Sequence, residues 1–437
     1  HDTNSISEAI STAKKNNKPT LIACKTKIGF GSPNKESTAS SHGSPLGLEE
    51  VDITRKNLNW NSKPFEIPSN LLEIWRNFYK RNIDSINNWK QKYESITNKK
   101  ELKEYFSYNL SNKVRNKIID FKKIHLEENT NCATRKASEK SLEIFSESIN
   151  NLIGGSADLT GSNNTKTKNM KTIEKNDFDG NYIYYGVREH GMAAIMNGLS
   201  LHGGLKVYGG TFLVFTDYCR PSIRLAAIMG LPVIYVMTHD SIGLGEDGPT
   251  HQPIEHLASL RSIPNLNVIR PCDIIETIEA WEIALSSKSS PTVLVLTRQN
   301  LPLIRKENLN NNSVLMGGYK VVDHDDYNAT ILATGSEVEI AIEAAKHLLD
   351  ENIFVRVISL PCWELFLKQS ETYKKEILGN KPIFGIEAGT INGWEKFVSE
   401  KNFIGMKSFG ASGPYKELYK HFGISSNNLI KMIKNNI

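Results

Sequence analysis

The sequence has 437 residues, of which 39% are apolar, and this length is enough for two or three domains with separate cores. The net charge of +5 is a mild excess, and the absence of a basic stripe with interleaved aromatics argues against a nucleic-acid partner. No apolar run approaches the roughly 20 residues needed to cross a bilayer, so we expect no membrane segment. Five widely spaced cysteines predict free thiols in a reducing compartment such as the cytoplasm.

The amino-terminal part is predicted to be polar and mainly helical. The chain starts at His1 inside a helical pattern over residues 5–15, and residues 20–24 are predicted to form a short buried strand. One helix and one strand cannot enclose a core, so we expect a domain whose other strands are absent. A Gly- and Ser-rich loop over 25–47 and a helical connection over 50–130 follow.

From Ser138 onward, short apolar runs alternate with helical stretches, which indicates a doubly wound, mostly parallel α/β sheet. The strand candidates are 151–153, 182–185, 206–208, 233–238, 267–270 and 292–297, and the helix candidates are 189–201, 217–228 and 273–286. A second, smaller α/β unit begins near Gly317. Its strand candidates are 330–333, 355–359 and 382–386, and its helix candidate is 337–349. We predict domain boundaries of 1–110, 111–312 and 313–437.

The segment 236–253 carries the densest set of ionisable groups. An apolar strand runs directly into a loop that contains His239, Asp240, Asp247 and His251. Ligands of open α/β sheets bind beyond the carboxyl ends of the strands, so catalysis is one expectation for this loop. From spacing alone, a divalent metal site and a solvated loop are equally compatible with it.

Glu189 opens an apolar helix, where the helix dipole favours a carboxylate, and from the residues alone this structural role is the better interpretation. A functional role would need a buried carboxyl that shares a proton with a heterocycle nitrogen. Phe212, Phe215 and Tyr218 lie at spacings of three, which would place them on one face of a helix. Such a stripe is more often core than a cofactor pocket, although a flat ring would need it for stacking.

Three dispersed residues are candidate anion ligands. Arg135 lies just before a helix, Ser162 follows the strand that leads into Gly154, and Arg298 ends an apolar strand. Arginine at the carboxyl end of a strand suits bidentate phosphate binding. Each of them alone is more typical of a surface ion-pair residue.

Together, these segments resemble the transketolase family, in the family's order. The matching strings are SHGSPLG at 41–47, TRKAS at 134–138, GGSADL at 154–159, YGVREHGM at 185–192, TFLVFTDY at 211–218, THDSIGLGEDGPTHQP at 238–253 and LTRQN at 296–300. ATGSEVE at 333–339 and FGASGP at 409–414 are similar to the family's carboxyl-terminal domain. The resemblance implies a pyrimidine-binding domain followed by a smaller α/β domain.

The resemblance also implies an activity. It would be a transferase that moves a two-carbon ketol unit reversibly from a ketose phosphate, such as xylulose 5-phosphate, to an aldose phosphate, such as ribose 5-phosphate, through a thiamine-bound intermediate. The cofactors would be thiamine diphosphate and Mg²⁺ or Ca²⁺. The partners would be sugar phosphates and a second copy of the chain, with active sites at the interface of a cytoplasmic homodimer in the pentose phosphate pathway.

The resemblance assigns roles residue by residue. Glu189, His251 and His42 match catalytic positions. The positions expected to contact the cofactor are Phe212, Phe215, Tyr218, Asp158, Leu159, Glu189 and His42. The positions expected to bind substrate are Arg135, Ser162, His239, Asp247, His251, Arg298 and His42. With this match, a metal held by His239 and His251 is no longer expected.

One departure from the family is clear. The family's Gly-Asp-Gly motif with its later Asn, which binds the metal and the diphosphate, is absent from this sequence. We therefore expect that the chain lacks most of the diphosphate-binding domain, that the metal ligands lie in the missing segment, and that this chain alone is inactive. The alternatives are a noncatalytic dimeric fragment and a dihydroxyacetone synthase of the same superfamily.

Overall fold

The computed structural model describes residues 1–107, 109–307 and 309–437. The chain divides into two compact units, His1–Thr97 and Asn98–Ile437. No helix among the described residues is long and apolar enough to span a membrane.

The first unit is helical. Its helices are α1 (Thr3–Ala13), α2 (Leu48–Asn57), α3 (Ser69–Arg76) and α4 (Ile83–Ser95). The predicted helix over 5–15 is confirmed by α1, where the Asp2 carboxylate caps the first turn. The strand predicted over 20–24 is wrong: these described residues form neither helix nor strand, and Leu21 is 93% exposed. A strand is stable only beside a partner strand, and this segment pairs with none among the described residues.

The second unit contains a six-stranded sheet in the order β3-β2-β4-β5-β7-β6, in which every neighbouring pair is parallel. The strands up to residue 301 are β1 (Cys132–Ala133), β2 (Leu152–Ser156), β3 (Tyr182–Tyr184), β4 (Lys206–Phe212), β5 (Ile234–Thr238), β6 (Asn267–Ile269), β7 (Thr292–Leu296) and β8 (Asn300–Leu301). The helices are α5 (Lys99–Tyr105), α6 (Asn112–Glu127), α7 (Thr134–Ser148), α8 (Thr160–Asn163), α9 (Glu189–His202), α10 (Thr216–Met229), α11 (His256–Arg261) and α12 (Ile274–Ser286). The short β1 and β8 form a separate antiparallel pair.

Helices cover both faces of this sheet, which is why its central strands are buried throughout. Every residue of β4, β5 and β7 is buried. One core cluster contains Trp281 of α12, and the other contains Met192 of α9. Strands buried on both faces are typical of parallel sheets flanked by helices.

The last part of the chain forms a second sheet, in the order β13-β12-β10-β11-β9. Its strands are β9 (Tyr319–Val322), β10 (Ala329–Ala333), β11 (Val355–Ser359), β12 (Ile383–Ile386) and β13 (Phe403–Ile404), and β9 alone among these strands pairs antiparallel. Its helices are α13 (Glu337–Leu349), α14 (Trp363–Leu367), α15 (Glu371–Leu378), α16 (Tyr415–His421) and α17 (Ser426–Lys434). The predicted fold class, two doubly wound and mostly parallel α/β sheets with the second one smaller, is confirmed.

Candidate active site

The predicted site residues gather at the carboxyl ends of the parallel strands. Asp158 lies just after β2, Phe212 ends β4, His239 directly follows β5, and Arg298 follows β7. Strands β4, β5 and β7 are paired up to their last residues. Because parallel strands end at the same edge of the sheet, these four side chains share one edge, where open α/β sheets bind ligands.

Three aromatic rings form a cluster at this edge. Phe212 and Phe215 are stacked, with ring centroids 5.6 Å apart and planes 8° apart, and Tyr218 is 5.8 Å from Phe215. The prediction that they share one helix face is wrong. Phe212 is the end of a strand, Phe215 closes a 3-10 turn, and Tyr218 lies in α10. The strand-to-helix corner brings the three rings together instead.

Two histidines face the aromatic cluster from the loop 239–252, here called the histidine loop. The His239 ring lies 3.7 Å from the Phe212 ring. The His251 ring lies 5.6 Å from Phe215 and 6.3 Å from Phe212, edge-on to both. The histidine loop therefore places two imidazoles against one aromatic surface.

The tautomer of His239 follows from its neighbours. The Thr238 hydroxyl donates to Asn163 Oδ1 at 2.7 Å and lies 2.8 Å from His239 Nδ1. A hydroxyl has a single proton, so it must accept from Nδ1–H of His239. This leaves Nε2 of the neutral ring as an acceptor. The backbone of His239 is left-handed, with a φ of 60°.

The surroundings of His239 are strongly positive. Burial, followed by the charges of Arg135, Arg298 and His251, lowers the pKa of His239 to about 3. The ring is 2% exposed and therefore neutral at physiological pH. An anion bound nearby would stabilise the protonated form of His239, because its negative charge offsets both the cost of burial and the repulsion by the neighbouring positive groups.

Arg135 and Arg298 lie near each other and repel. Burial and then the charge of Arg298 lower the pKa of Arg135, whereas the Asp247 carboxylate raises it. Arg135 donates to the Ser162 carbonyl oxygen at 2.6 Å, and its buried Nε has no hydrogen-bond partner among the described residues. Arg298 donates to the Leu244 carbonyl oxygen at 3.1 Å. Two guanidinium groups with donors to spare suit a bound phosphate.

Glu189 is the first residue of α9 and is only 8% exposed. Its carboxylate has no hydrogen-bond partner among the described side chains and backbone groups. Burial and then the charge of Glu189 raise the pKa of the Cys219 thiol in α10 to about 12. The carboxylate thus lies beside the helix that carries Tyr218, buried and available for a further hydrogen bond.

The remaining predicted site residues are exposed or half-buried. Asp158 is exposed with a φ of 59°, Leu159 is half-buried beside it, and Asp247 is exposed on the histidine loop. His42 belongs to the first compact unit, where it is exposed and ends a 3-10 turn. Sequence reasoning missed Asn163, which orients Thr238, and no pattern in the sequence indicated it.

A flat heteroaromatic ring fits this site, because stacked aromatic rings lie near a buried carboxylate that has hydrogen-bonding capacity left. The described residues contain no group of three or more His, Cys, Asp or Glu side chains that could hold a metal ion. The metal-site interpretation of the histidine loop is therefore not supported.

The fold and the site define a class: a doubly wound α/β protein with an aromatic pocket next to an arginine pair at its strand ends, followed by a second α/β domain. Three family models match the chain. They are the transketolase thiamine diphosphate binding domain at residues 1–114, the transketolase pyrimidine binding domain at 130–304 and the transketolase-like C-terminal domain at 317–425.

Curated relatives agree with these matches. A transketolase from Cereibacter sphaeroides is 48% identical over 100% of this chain and 66% of its own length, and transketolase 1 from Vibrio parahaemolyticus is 43% identical over 99% and 67%. A crystal structure of transketolase from Pichia stipitis in complex with sedoheptulose-7-phosphate matches with a TM-score of 0.89 and 37% identity, over 99% of this chain and 65% of that one. The chain belongs to the transketolase family.

These matches correct one prediction. The expectation that the chain lacks most of the diphosphate-binding domain is not borne out, because the model of that domain matches residues 1–114. The expectations that the chain alone is inactive and that its metal ligands lie in a missing segment are likewise unsupported. The chain spans about two-thirds of the length of the curated relatives it matches, from 62% to 67% in four of them.

Proposed function

We propose that this protein is a transketolase, which transfers a two-carbon ketol unit reversibly from a ketose phosphate to an aldose phosphate with thiamine diphosphate as cofactor. The observation that carries the proposal is the convergence, at one edge of a parallel sheet, of an aromatic cluster, a buried carboxylate and a repelling arginine pair. The first two suit an aminopyrimidine ring, and the third suits the phosphate of a sugar.

The cofactor would be held by the aromatic side of the site. Phe212, Phe215 and Tyr218 stack against the pyrimidine ring, and Glu189 holds a proton between its carboxyl oxygen and a ring nitrogen. Asp158 and Leu159 line the same side. The chemistry that thiamine diphosphate supplies when bound is a carbon nucleophile and an electron sink. The enclosed position of Glu189, with no competing partner among the described residues, supports this role.

The substrate would lie on the positive side of the site. Arg135, Arg298, Ser162 and His239 bind the sugar phosphate, and the electrostatic repulsion around His239 supports this assignment because an anion relieves it. Asp247 contacts the donor hydroxyl next to the carbonyl. His251 moves a proton near the reacting carbon, for which its position beside the aromatic cluster is suitable, and His42 assists both cofactor and substrate binding.

The protein would act as a cytoplasmic homodimer of the pentose phosphate pathway, with each site at the subunit interface. Helix α10 supports the dimer. Tyr218, Leu225, Ile228 and Met229 lie along one stripe of this helix and are 62%, 48%, 62% and 42% exposed. Since the stripe begins at the aromatic cluster, a second copy covering it would also close the site.

We propose domains at 1–110, 111–312 and 313–437 for the diphosphate-binding part with its helical connection, the pyrimidine-binding part and the carboxyl-terminal part. The matched segments, which end at 114 and 304 and resume at 130 and 317, support divisions near these positions.

The test is a product assay with thiamine diphosphate, Mg²⁺, xylulose 5-phosphate and ribose 5-phosphate. We expect sedoheptulose 7-phosphate from the wild-type protein. Glu189→Gln should lower kcat at least about 100-fold, because it removes the proton that general acid–base catalysis requires. Its circular dichroism and unfolding midpoint should be unchanged.

The matched control is Glu143→Gln, which changes an exposed glutamate of α7 and should leave the rate intact. Absence of product from the wild-type protein, or near-normal turnover by Glu189→Gln, would overturn the proposal. Efficient product formation with formaldehyde as acceptor, and none with ribose 5-phosphate, would instead favour a dihydroxyacetone synthase.

A further inference from the structure

The start of the histidine loop is tied to the carboxyl-terminal part of the chain through a buried charge cluster. Asp240 directly follows His239 and is 1% exposed. Arg270, at the end of β6, donates to Asp240 Oδ2 from Nη2 at 2.7 Å and from Nε at 3.0 Å. The same guanidinium also pairs with Glu337 at the start of α13 and donates to the Thr334 carbonyl oxygen at 3.0 Å.

A tyrosine of α16 completes this cluster. The Tyr419 hydroxyl donates to Glu337 Oε1 at 2.7 Å and lies 3.4 Å from the Ser241 hydroxyl. Arg270 thus pairs with Asp240 of the histidine loop and with two carboxylates of the C-terminal domain, Glu337 and, at 4.0 Å, Glu387. Buried charges are stable only when paired, so the arginine holds the start of the histidine loop to the C-terminal domain through their shared counter-charge.

The far end of the histidine loop contacts the segment 409–414, one of the two strings that resembled the family's carboxyl-terminal domain. Gln252 donates from Nε2 to the Ala411 carbonyl oxygen at 2.8 Å and to the Gly245 carbonyl oxygen at 2.9 Å. The Ser412 hydroxyl donates to the Glu246 carbonyl oxygen at 2.6 Å. Glu246 and Gln252 flank the stretch that carries Asp247 and His251.

We infer that the C-terminal domain positions the histidine loop for substrate binding, with Arg270 and Glu337 as the anchor at its start and the 409–414 segment as the anchor at its end. The inference rests on the proposed function, because His239, Asp247 and His251 are assigned to substrate there. These anchors are positioning residues: they fix the backbone that carries the three side chains, whereas the aromatic cluster and Glu189 are held by other elements. Loosening an anchor should therefore weaken sugar phosphate binding and spare cofactor binding.

Two glycines of the 409–414 segment provide a matched pair of variants. A Cβ added at Gly410 would lie 1.7 Å from Gln252 Oε1, so Gly410→Ala must displace that side chain. A Cβ added at Gly413 would meet nothing closer than Leu418 at 3.5 Å, an ordinary contact. Neither glycine has a positive φ, so alanine fits the backbone at both positions.

For Gly410→Ala we expect the KM for xylulose 5-phosphate to rise about tenfold, because the loss of one hydrogen-bonded anchor changes an equilibrium by about tenfold. The affinity for thiamine diphosphate should stay within about twofold of the wild type. Hydrogen exchange in residues 239–252 should become faster. Gly413→Ala should match the wild type in all three measurements. Ser412→Ala, at an exposed position, should produce a smaller change in the same direction, since it loses one hydrogen bond and cannot unfold the core.

Wild-type KM and wild-type exchange in Gly410→Ala would overturn the positioning inference while leaving the proposed function intact. Equal changes in cofactor affinity and KM, or an equal effect of Gly413→Ala, would also overturn it, because they indicate general destabilisation. If the wild-type protein transfers no ketol unit, the proposed function fails. The exchange comparison still reports separately whether the segment 409–414 holds the histidine loop.

Discussion

His239 illustrates how much of the site is set by side chains next to it rather than by its own position in the chain. It is neutral because it is buried among positive groups, and its tautomer is dictated by a threonine that is itself oriented by Asn163. Nε2 of this tautomer is an acceptor, so it can bind a phosphate oxygen only after taking up a proton. Phosphate binding and protonation of His239 are therefore expected to be coupled.

We predict that the imidazole of His239 does not titrate between pH 5 and 8 in the free protein. Its pKa of about 3 lies below the ordinary value of 6.5. The unfolded chain thus binds the proton more tightly, and the neutral ring favours folding above about pH 6.5 and loses that contribution as the pH falls towards 3. The measurement is the Cε1–H chemical shift against pH, assigned with His239→Asn.

Sugar phosphate should raise this pKa, because the dianion offsets the charges of Arg135 and Arg298. Inorganic phosphate serves as the small probe, and sulfate tests whether any dianion suffices. A free His239 that titrates near pH 6.5, or one whose pKa phosphate leaves unchanged, would contradict the assignment of this residue to the phosphate.

At the scale of elements, the junction between α12 and the chain near residue 304 depends on one carboxylate. Asp273 caps α12 by accepting from the Glu276 N–H at 2.8 Å, and it also accepts from the N–H groups of Ile304 at 3.0 Å and Arg305 at 2.8 Å. The side chain is 1% exposed. Three backbone donors therefore share one buried carboxylate, in contrast with an ordinary helix cap.

We predict that Asp273→Ala lowers the free energy of unfolding by about 3 kcal/mol, since it removes a cap and leaves the N–H groups of Ile304 and Arg305 unpaired. The control is Ser425→Ala, which removes a simple cap from α17 and should cost about 1 kcal/mol. Both are measured by urea unfolding of the full chain. A cost for Asp273→Ala no larger than that of the control would show that those N–H groups find other partners.

In the molecule as a whole, the exposed stripe of α10 is a feature that a single chain leaves unexplained. Large apolar side chains on one face of a helix are favourable only when another surface covers them. The stripe continues from Tyr218 of the aromatic cluster. A second copy that binds the stripe would therefore also lie next to the candidate active site.

We predict that Ile228→Lys dissociates the proposed homodimer and lowers activity with it. Ile228 is 62% exposed, and a charge placed in an apolar interface would remain unpaired. Sedimentation velocity measures the state of association. The control is Leu349→Lys at the end of α13, where the native leucine is 43% exposed and lies away from this stripe. A monomeric wild-type protein, or a dimeric Ile228→Lys, would rule out this interface.

Much of the fold was predictable from the sequence because, in the buried parts, the helix and strand preferences of each segment agree with the element that it forms in the tertiary structure. The predicted strand 355–359 and helix 337–349 coincide with β11 and α13, and the predicted helix 189–201 ends one residue before α9. The short edge strands β9 and β13 were missed because they are only partly buried and carry a weak apolar signal. The strand predicted over 20–24 failed because apolar composition alone cannot supply a pairing partner.

The element order, the fold class and the residue types that converge on the strand ends could be deduced from the sequence, since apolar periodicity and motif order are local properties. How those residues meet depends on tertiary contacts: a strand end and a helix together build the aromatic cluster, Arg135 and Arg298 repel each other near His239, and Arg270 and Gln252 tie the histidine loop to the C-terminal domain. Such contacts join distant parts of the chain, with 159 positions between Gln252 and Ala411 and 178 between Ser241 and Tyr419, and burial and electrostatic fields depend on such distant neighbours.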